Sequence, residues 1–286
     1  MSKHSPAEIL AIFAQIVVEH VDALHAALGK LAAPAPSDED LHQFRVTLRR
    51  LRSAWVTFAP VLPAEFVGAW KPRLRELAAA TGPVREWDVL LLDWLPTARA
   101  GLSPEDAAVQ KWLDRAVARA QAARDRAWRK LQTELASPDL RAMLDALKAA
   151  VAPFLGEASP GKQRAFAHAR ARALRRRVIK RGRRPKRASA TQLHQARIAA
   201  KQWRYLYESF YPALGARASK RRRNHLRVLQ DALGEVHDAD ASLARLRQAQ
   251  RAAPPAAVID AFHARAIAAR ANAAKQLRWV RTHPAI

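Results

Sequence analysis

Residues 193–214 read LHQARIAAKQWRYLYESFYPAL, and residues 41–62 read LHQFRVTLRRLRSAWVTFAPVL. They are two copies of one segment. A shift of 152 positions places His42 on His194, Arg45 on Arg197, Arg49 on Lys201, Arg52 on Arg204, Phe58 on Phe210 and Pro60 on Pro212. The register runs on without a gap through Leu74/Leu226, Arg75/Arg227, Leu77/Leu229, Gly82/Gly234, Val84/Val236 and Asp88/Asp240, with about a third of the aligned positions identical. A unit this long predicts two similar helical bundles in one chain rather than a solenoid of short repeats.

The spacing inside each copy carries chemistry. His42, Arg45, Arg49 and Arg52 recur at i, i+3, i+7 and i+10. At 100° per residue they fall within a sector of roughly 80° along about 15 Å of helix. Leu48, Leu51, Trp55 and Phe58 point elsewhere, toward a core. His194, Arg197, Lys201 and Arg204 repeat the stripe, with Trp203, Tyr207 and Phe210 apolar. Solvated helix faces usually mix signs so that i,i+4 pairs can form. These stripes meet no acid until Glu208, which favours anion binding over solvation alone.

Composition narrows the field. The chain has 286 residues, half of them hydrophobic, with only nine glycines and no cysteine. It is long enough for a substantial core, rich in helix formers, and free of disulfides or thiolate metal sites. No strand-like alternation occurs, so the expected fold is all-α, with about ten to eleven helices. The N-terminus lacks a secretory pattern, and no stretch is expected to span a bilayer. The expectation is a soluble cytoplasmic protein with no membrane partner. The net charge is +25 and unevenly placed: residues 1–150 hold 20 Lys/Arg against 18 Asp/Glu, and residues 151–286 hold 30 against 7. Such a field draws polyanions, with the strongest contacts expected from the second half.

Taken in order, a first helix opens at Ser5-Pro6-Ala7-Glu8 and runs to about Leu31. Ser37 with Asp40 starts the first basic helix. A helix over 64–80 carries Lys71 and Arg75, and its counterpart over 220–233 carries Lys220, Arg223 and Arg227. Gly82 and Gly234 are expected as C-terminal caps. Short helices follow at about 84–95 and 236–250, a long one from Ser103 to about Leu135, and another after Ser137. Pro153–Pro160 reads as the boundary between bundles 1–152 and 153–286. Lys162–Arg187 is the most basic stretch and a candidate second phosphate-contacting surface, with GRRPKR at 182–187 leaving the helix. A last helix spans about Ala256–Arg281.

The pattern LHQxRVxxRRLRSAWxxFxPxL, then LHQxRIxxKxxRYxxExFxPxLG and LRVLQDALGEVHDAD, resembles the CHAD family, the conserved histidine α-helical domain, over essentially residues 5–282. The resemblance implies two pseudo-twofold-related bundles with a basic surface along their junction, and binding of inorganic polyphosphate, in some members at polyphosphate granules. It carries the family's histidine and basic positions to His42, Arg45, Arg49, Arg52, His194, Arg197, Lys201 and Arg204, with Lys71, Arg75, Arg223 and Arg227 on the following helices. Arg50 and Lys220 complete the expected polyphosphate-binding set. Gln202 stands where the first copy has Arg50, and His237 where it has Arg85, so the halves are not expected to contact ligand equally. No ExExK motif accompanies the pattern, so a stand-alone domain without a fused CYTH triphosphatase is expected.

Polyphosphate offers regularly spaced charged oxygens and no bases, so it asks for a lane of donors. Arginine suits it through a planar fork, and lysine through a point charge. Nucleic acid is the competitor. Single-strand binders interleave aromatics with cations, and only Tyr205 lies near either stripe, so weak nonspecific binding is the most this pattern supports. The histidines either contact ligand or orient their helices. His237-Asp238 lacks the further ligands of a metal phosphohydrolase, although Glu235, Asp238 and Asp240 offer carboxylates for Mg²⁺. No P-loop, GxSxG or nucleophile–base pair is present. A binding module with no cofactor is expected, not an enzyme.

Overall fold

In the computed structural model the described residues are 6–33, 36–157, 159–183, 188–210, 214, 216–249 and 253–283. Ser5, Pro212 and the 184–187 part of GRRPKR lie outside them. The described residues contain helices and no strand. The elements are α1 (Pro6–Leu31), α2 (Asp38–Phe58), α3 (Ala64–Ala80), α4 (Gly82–Val89), a π turn (Leu90–Trp94), α5 (Leu95–Ala100), α6 (Ala107–Leu135), α7 (Pro138–Val151), a 3₁₀ turn (Ala152–Phe154), α8 (Pro160–Arg181), α9 (Ala190–Ser209), α10 (Ala216–Ala249) and α11 (Ala256–Thr282).

The repeat is visible in the boundaries. Asp38 and Ala190 open α2 and α9, and Ala64 and Ala216 open α3 and α10, each pair 152 apart. Both basic helices begin with a capping box, Ser37 with Asp40 and Ser189 with Gln192. Such a cap is worth about 1 kcal/mol and fixes where the cationic stripe starts. The symmetry-related Phe58 and Phe210 meet with ring centroids 5.7 Å apart, and Phe166 packs on both. The two basic helices α2 and α9 pack directly on each other.

Several sequence expectations need correction. Gly234 caps nothing, because α10 runs through it as one helix of 34 residues. In the first copy Pro83 follows Gly82 and has no N–H to continue the ladder, so the chain breaks at Thr81 into α3 and α4. Gly82 is the first residue of α4, not a terminal cap. Pro96 similarly removes a donor, and a π turn precedes it. Asp106 rather than Ser103 caps α6, its carboxylate accepting from the Val109 N–H at 3.1 Å. Ala7–Leu31, 25 residues with a mean hydropathy of 1.5 over its most apolar 18-residue window, is long and apolar enough by composition to span a bilayer. Here its apolar stripe, including Ile9, Phe13, Val17, Val21 and Leu24, is buried in the core.

Packing crosses the 152/153 boundary. One core joins α1, α2, α3 and α7 with α8, α9, the first part of α10 and the end of α11. The other joins α4, the π turn, α5 and α6 with Ala239 and Leu246 of α10 and Val258 and Phe262 of α11. The repeats divide the sequence, but the long helices α10 and α11 thread both cores. This interleaving holds α2 and α9 side by side, with α4 and α10 across from them.

Candidate functional site

A cleft of about 740 Å³ lies where these helices converge. His42, Arg45, Arg49 and Arg52 of α2 line it beside Arg197 and Lys201 of α9. Arg85 of α4, His237 of α10 and Arg265 of α11 face them. Six of the fourteen expected site residues thus share one space. His194 borders a smaller adjoining hollow of about 430 Å³, joined to the cleft through His237 and Ala241. The His194 and His237 rings meet in a tilted arrangement with centroids 4.6 Å apart.

The other expected residues are placed differently. Arg50 and Arg204 both turn to Glu208, at 3.4 and 3.3 Å, and this bridge ties α2 to α9. The acid at the end of the stripe neutralises part of it. Arg75 is exposed but close enough to Arg52 to repel its charge. Lys71 and Lys220 are exposed outside the cleft, Arg227 pairs weakly with Asp231 at 3.9 Å, and Arg223 does not line the cleft.

Arg85, His237 and Arg265 were not among the expected site residues. Arg85 and His237 occupy equivalent positions one short helix after the stripe. A shared sequence position was the available signal, but their dissimilar side chains masked it. Arg265 lies in α11, outside the aligned motifs, and nothing in sequence placed it there. It is not a free donor: it grips Asp93 at 2.8 Å and Glu235 at 3.0 Å, and lies 4.2 Å over the Trp94 ring. Of the three carboxylates weighed for Mg²⁺, Glu235 is thus engaged and Asp238 faces Arg197 at 3.7 Å. No cluster of three metal-ligating side chains occurs among the described residues.

Five carboxylates line the cleft, but most are paired away from its central cations: Glu86 with Arg245, Asp93 and Glu235 with Arg265, and Asp231 with Arg227. Arg45 donates to the Thr81 carbonyl and hydroxyl, and Arg49 donates to the Tyr205 hydroxyl. These bonds aim the guanidinium groups without neutralising them. Arg197 crosses Gly234, where an added Cβ would lie 3.6 Å from its Nε. Burial pushes the Arg45 guanidinium down to about 10, with Arg85 and Arg49 adding repulsion. Burial lowers Arg197 as well, against the opposing pull of Asp238. Lys201 is pushed down to about 6, by burial first and then by Arg197 and Arg49. His42, His194 and His237 are all lowered, chiefly by burial and then by neighbouring cations except at His42, where Glu39 opposes first. Desolvated cations that repel each other are costly unless an anion completes the site.

Aromatic surface is scarce. Tyr205, the one aromatic expected near the stripe, is 3% exposed, bonded to Arg49 and packed 5.0 Å from the Arg204 guanidinium. Trp94 borders the cleft but is 1% exposed beneath Arg265. Neither offers a face for a base.

A family model described as the CHAD domain matches residues 15–247. The chain belongs to the CHAD family. The same fold appears in the crystal structure of the CHAD domain from the plant Ricinus communis, with a TM-score of 0.70 and 24% identity over 96% of this chain and 90% of that one. It also appears in PptA from Streptomyces chartreusis, with a TM-score of 0.65 and 19% identity over 95% of this chain and 96% of that one. No curated protein sequence matches this chain. CHAD domains are associated with polyphosphate binding in general.

Proposed function

We propose that this CHAD domain binds inorganic polyphosphate in the cleft between α2/α9 and α4/α10 and does not turn it over. The observation that carries this reading is the convergence of Arg45, Arg49, Arg85, Arg197 and Lys201 in one partly desolvated space whose lining carboxylates, Asp238 apart, pair with other cations. A linear polyanion supplies the missing charge along the length of the cleft. The absence of exposed aromatic surface in its lining favours a phosphate chain over bases. Two of the three carboxylates weighed for a metal, Glu235 and Asp238, already face Arg265 and Arg197, which favours binding over hydrolysis. We further propose a cytoplasmic protein that is recruited to polyphosphate granules through this cleft.

The test is competition. Long-chain polyphosphate is expected to displace single-stranded DNA of equal charge, and preference for DNA would reverse the assignment. Charge reversal at Arg49, Arg197 and Lys201 is expected to abolish capture, while reversal at exposed Lys30 and Lys111 leaves it nearly intact. Incubation with polyphosphate and Mg²⁺ is expected to release no orthophosphate; sustained release would make the protein an enzyme. Granule association is checked by co-localisation of the wild-type and cleft-reversed proteins.

A further inference from the structure

The duplication supplies an internal comparison for α8. Its counterpart α1 carries Lys30 against Glu8, Glu19 and Asp22. In α8 there are nine Lys/Arg and no acid. Four of the nine have structural work. Arg170, 8% exposed, donates to the Val56 carbonyl at 2.7 Å. Arg175 donates to the Val280, Arg281 and His283 carbonyls at the end of α11. Arg181 donates to the Gln195 carbonyl at 3.1 Å, and Lys162 pairs with Glu8.

Arg164, Arg172, Arg176, Arg177 and Lys180 remain. All five are exposed, and none has an acidic partner among the described residues. Arg172, Arg176 and Lys180 follow at i, i+4 and i+8, where like charges destabilise a helix. No aromatic side chain shares this face, because Phe166 is buried. One helix links the face to the cleft: α9 packs on α2 and α10, which line the cleft, and also on α8. The exposed positions along the ridge of α9 include Gln195 and Ile198, with no carboxylate among them. A helix is about 10 Å across, so a flexible chain leaving Arg197 and Lys201 crosses the ridge within a few phosphate units.

We propose that the exposed face of α8 is a second polyphosphate-contacting surface that engages the same chain after it leaves the cleft, so that the protein selects long chains over short ones. This rests on the cleft being a polyphosphate site. Once the cleft holds one end, the second contact is intramolecular and gains from high effective concentration. Short oligophosphates fill the cleft and never reach α8.

The experiment compares long-chain polyphosphate with hexaphosphate on three proteins of intact helicity. They are wild type, Arg172→Glu/Arg176→Glu/Lys180→Glu, and a control with equal charge change on α6, Arg126→Glu/Arg129→Glu/Lys130→Glu. The α8 variant is expected to lose tenfold or more for the long chain and little for hexaphosphate. Its salt slope for the long chain should fall by about 2, taking about 0.7 per lost phosphate contact as for single strands. The triple glutamine variant should show the same pattern with a smaller loss. Unchanged long-chain binding, equal losses for both ligands, or an equal loss in the α6 control would overturn the proposal. So would a gain in preference for RNA by wild type over the α8 variant that exceeds the gain for polyphosphate. Failure of the cleft reading looks different: Arg49→Glu/Lys201→Glu would leave hexaphosphate binding unchanged.

Discussion

Lys201 makes binding sensitive to protons. In the free protein its amine sits at about 6, because burial and the cations Arg197 and Arg49 outweigh Asp238, with Arg204 adding repulsion. His237 also faces it from α10. At pH 7.5 most of the free protein therefore carries Lys201 uncharged. A phosphate chain in the cleft restores the charge by replacing repulsion with attraction. The proton costs about 1.5 pH units, which at about 1.36 kcal/mol per unit is about 2 kcal/mol, or about thirtyfold in Kd. Affinity is expected to rise as pH falls from 7.5 toward 6, and the Lys201 contribution to flatten below 6, where Lys201 is charged before binding. The three lowered histidines add to the slope with the same sign. Calorimetry in two buffers of different ionisation enthalpy at pH 7.5 should read net proton uptake. Lys201→Met should remove about one proton of it and bind more weakly. The same substitution should raise the melting temperature of the ligand-free protein. The unfolded chain holds this proton up to an ordinary value of 10.5 and the fold releases it at about 6, so Lys201 lowers stability, with that penalty relieved as pH rises between the two. Binding indifferent to pH between 6 and 8, or a Lys201→Met protein with undiminished proton uptake, would refute the reasoning.

Other substitutions probe how the cations are held. Tyr205→Phe removes the acceptor that aims Arg49 and should weaken polyphosphate binding several-fold with an unchanged salt slope. Arg49→Gln should lower the slope, and a double-mutant cycle should show the two effects overlapping. Glu208→Gln should cost about 1 kcal/mol of stability by loosening Arg50 and Arg204, yet tighten anion binding; weaker binding would show that the bridge matters more as a brace. Gly234→Ala should be tolerated and stabilise α10 by up to about 1 kcal/mol, because its Cβ meets only ordinary contact with Arg197. Gly182→Ala should destabilise by about 1–3 kcal/mol, because its Cβ would lie 2.6 Å from Cδ2 of the buried Leu277. Thermal melts separate the two.

What sequence could reveal follows from how local each determinant is. The basic helices were legible because capping boxes, cation spacing and the apolar sector all sit within about twenty consecutive residues. The cleft-facing role of Arg45, Arg49, Arg197 and Lys201 followed from that periodicity. The fates of Arg50 and Arg204 did not, because Glu208 reaches Arg50 only after α2 and α9 pack across the pseudo-twofold junction. Arg170 and Arg175 look like ligand donors in sequence, but they satisfy carbonyls of Val56 and of the last turn of α11. Pro83 marks the break in the first copy, and the second copy has Glu235 after Gly234, so α10 runs on undivided. A glycine is a cap only where the backbone turns.

The charge distribution by halves points away from the cleft, and pairing explains why. The nearly neutral first half supplies His42, Arg45, Arg49, Arg52 and Arg85 to its lining. The strongly basic second half supplies Arg197, Lys201 and His237, with Arg265 already bound to carboxylates. The strongest contacts were expected on the second half, but the first provides more of the uncommitted cations. Its acids are used elsewhere, and several cross to cations of the other half: Glu8 to Lys162, Glu86 to Arg245 and Asp93 to Arg265. These exchanges hold the repeats together and draw carboxylates away from α2. A cation binds a polyanion well where the fold has left it buried and without an acid, not where the chain is most basic. By that criterion the near-neutral half contributes more of the uncommitted cations to the proposed lane, and the surplus of the other half remains for its outer surface.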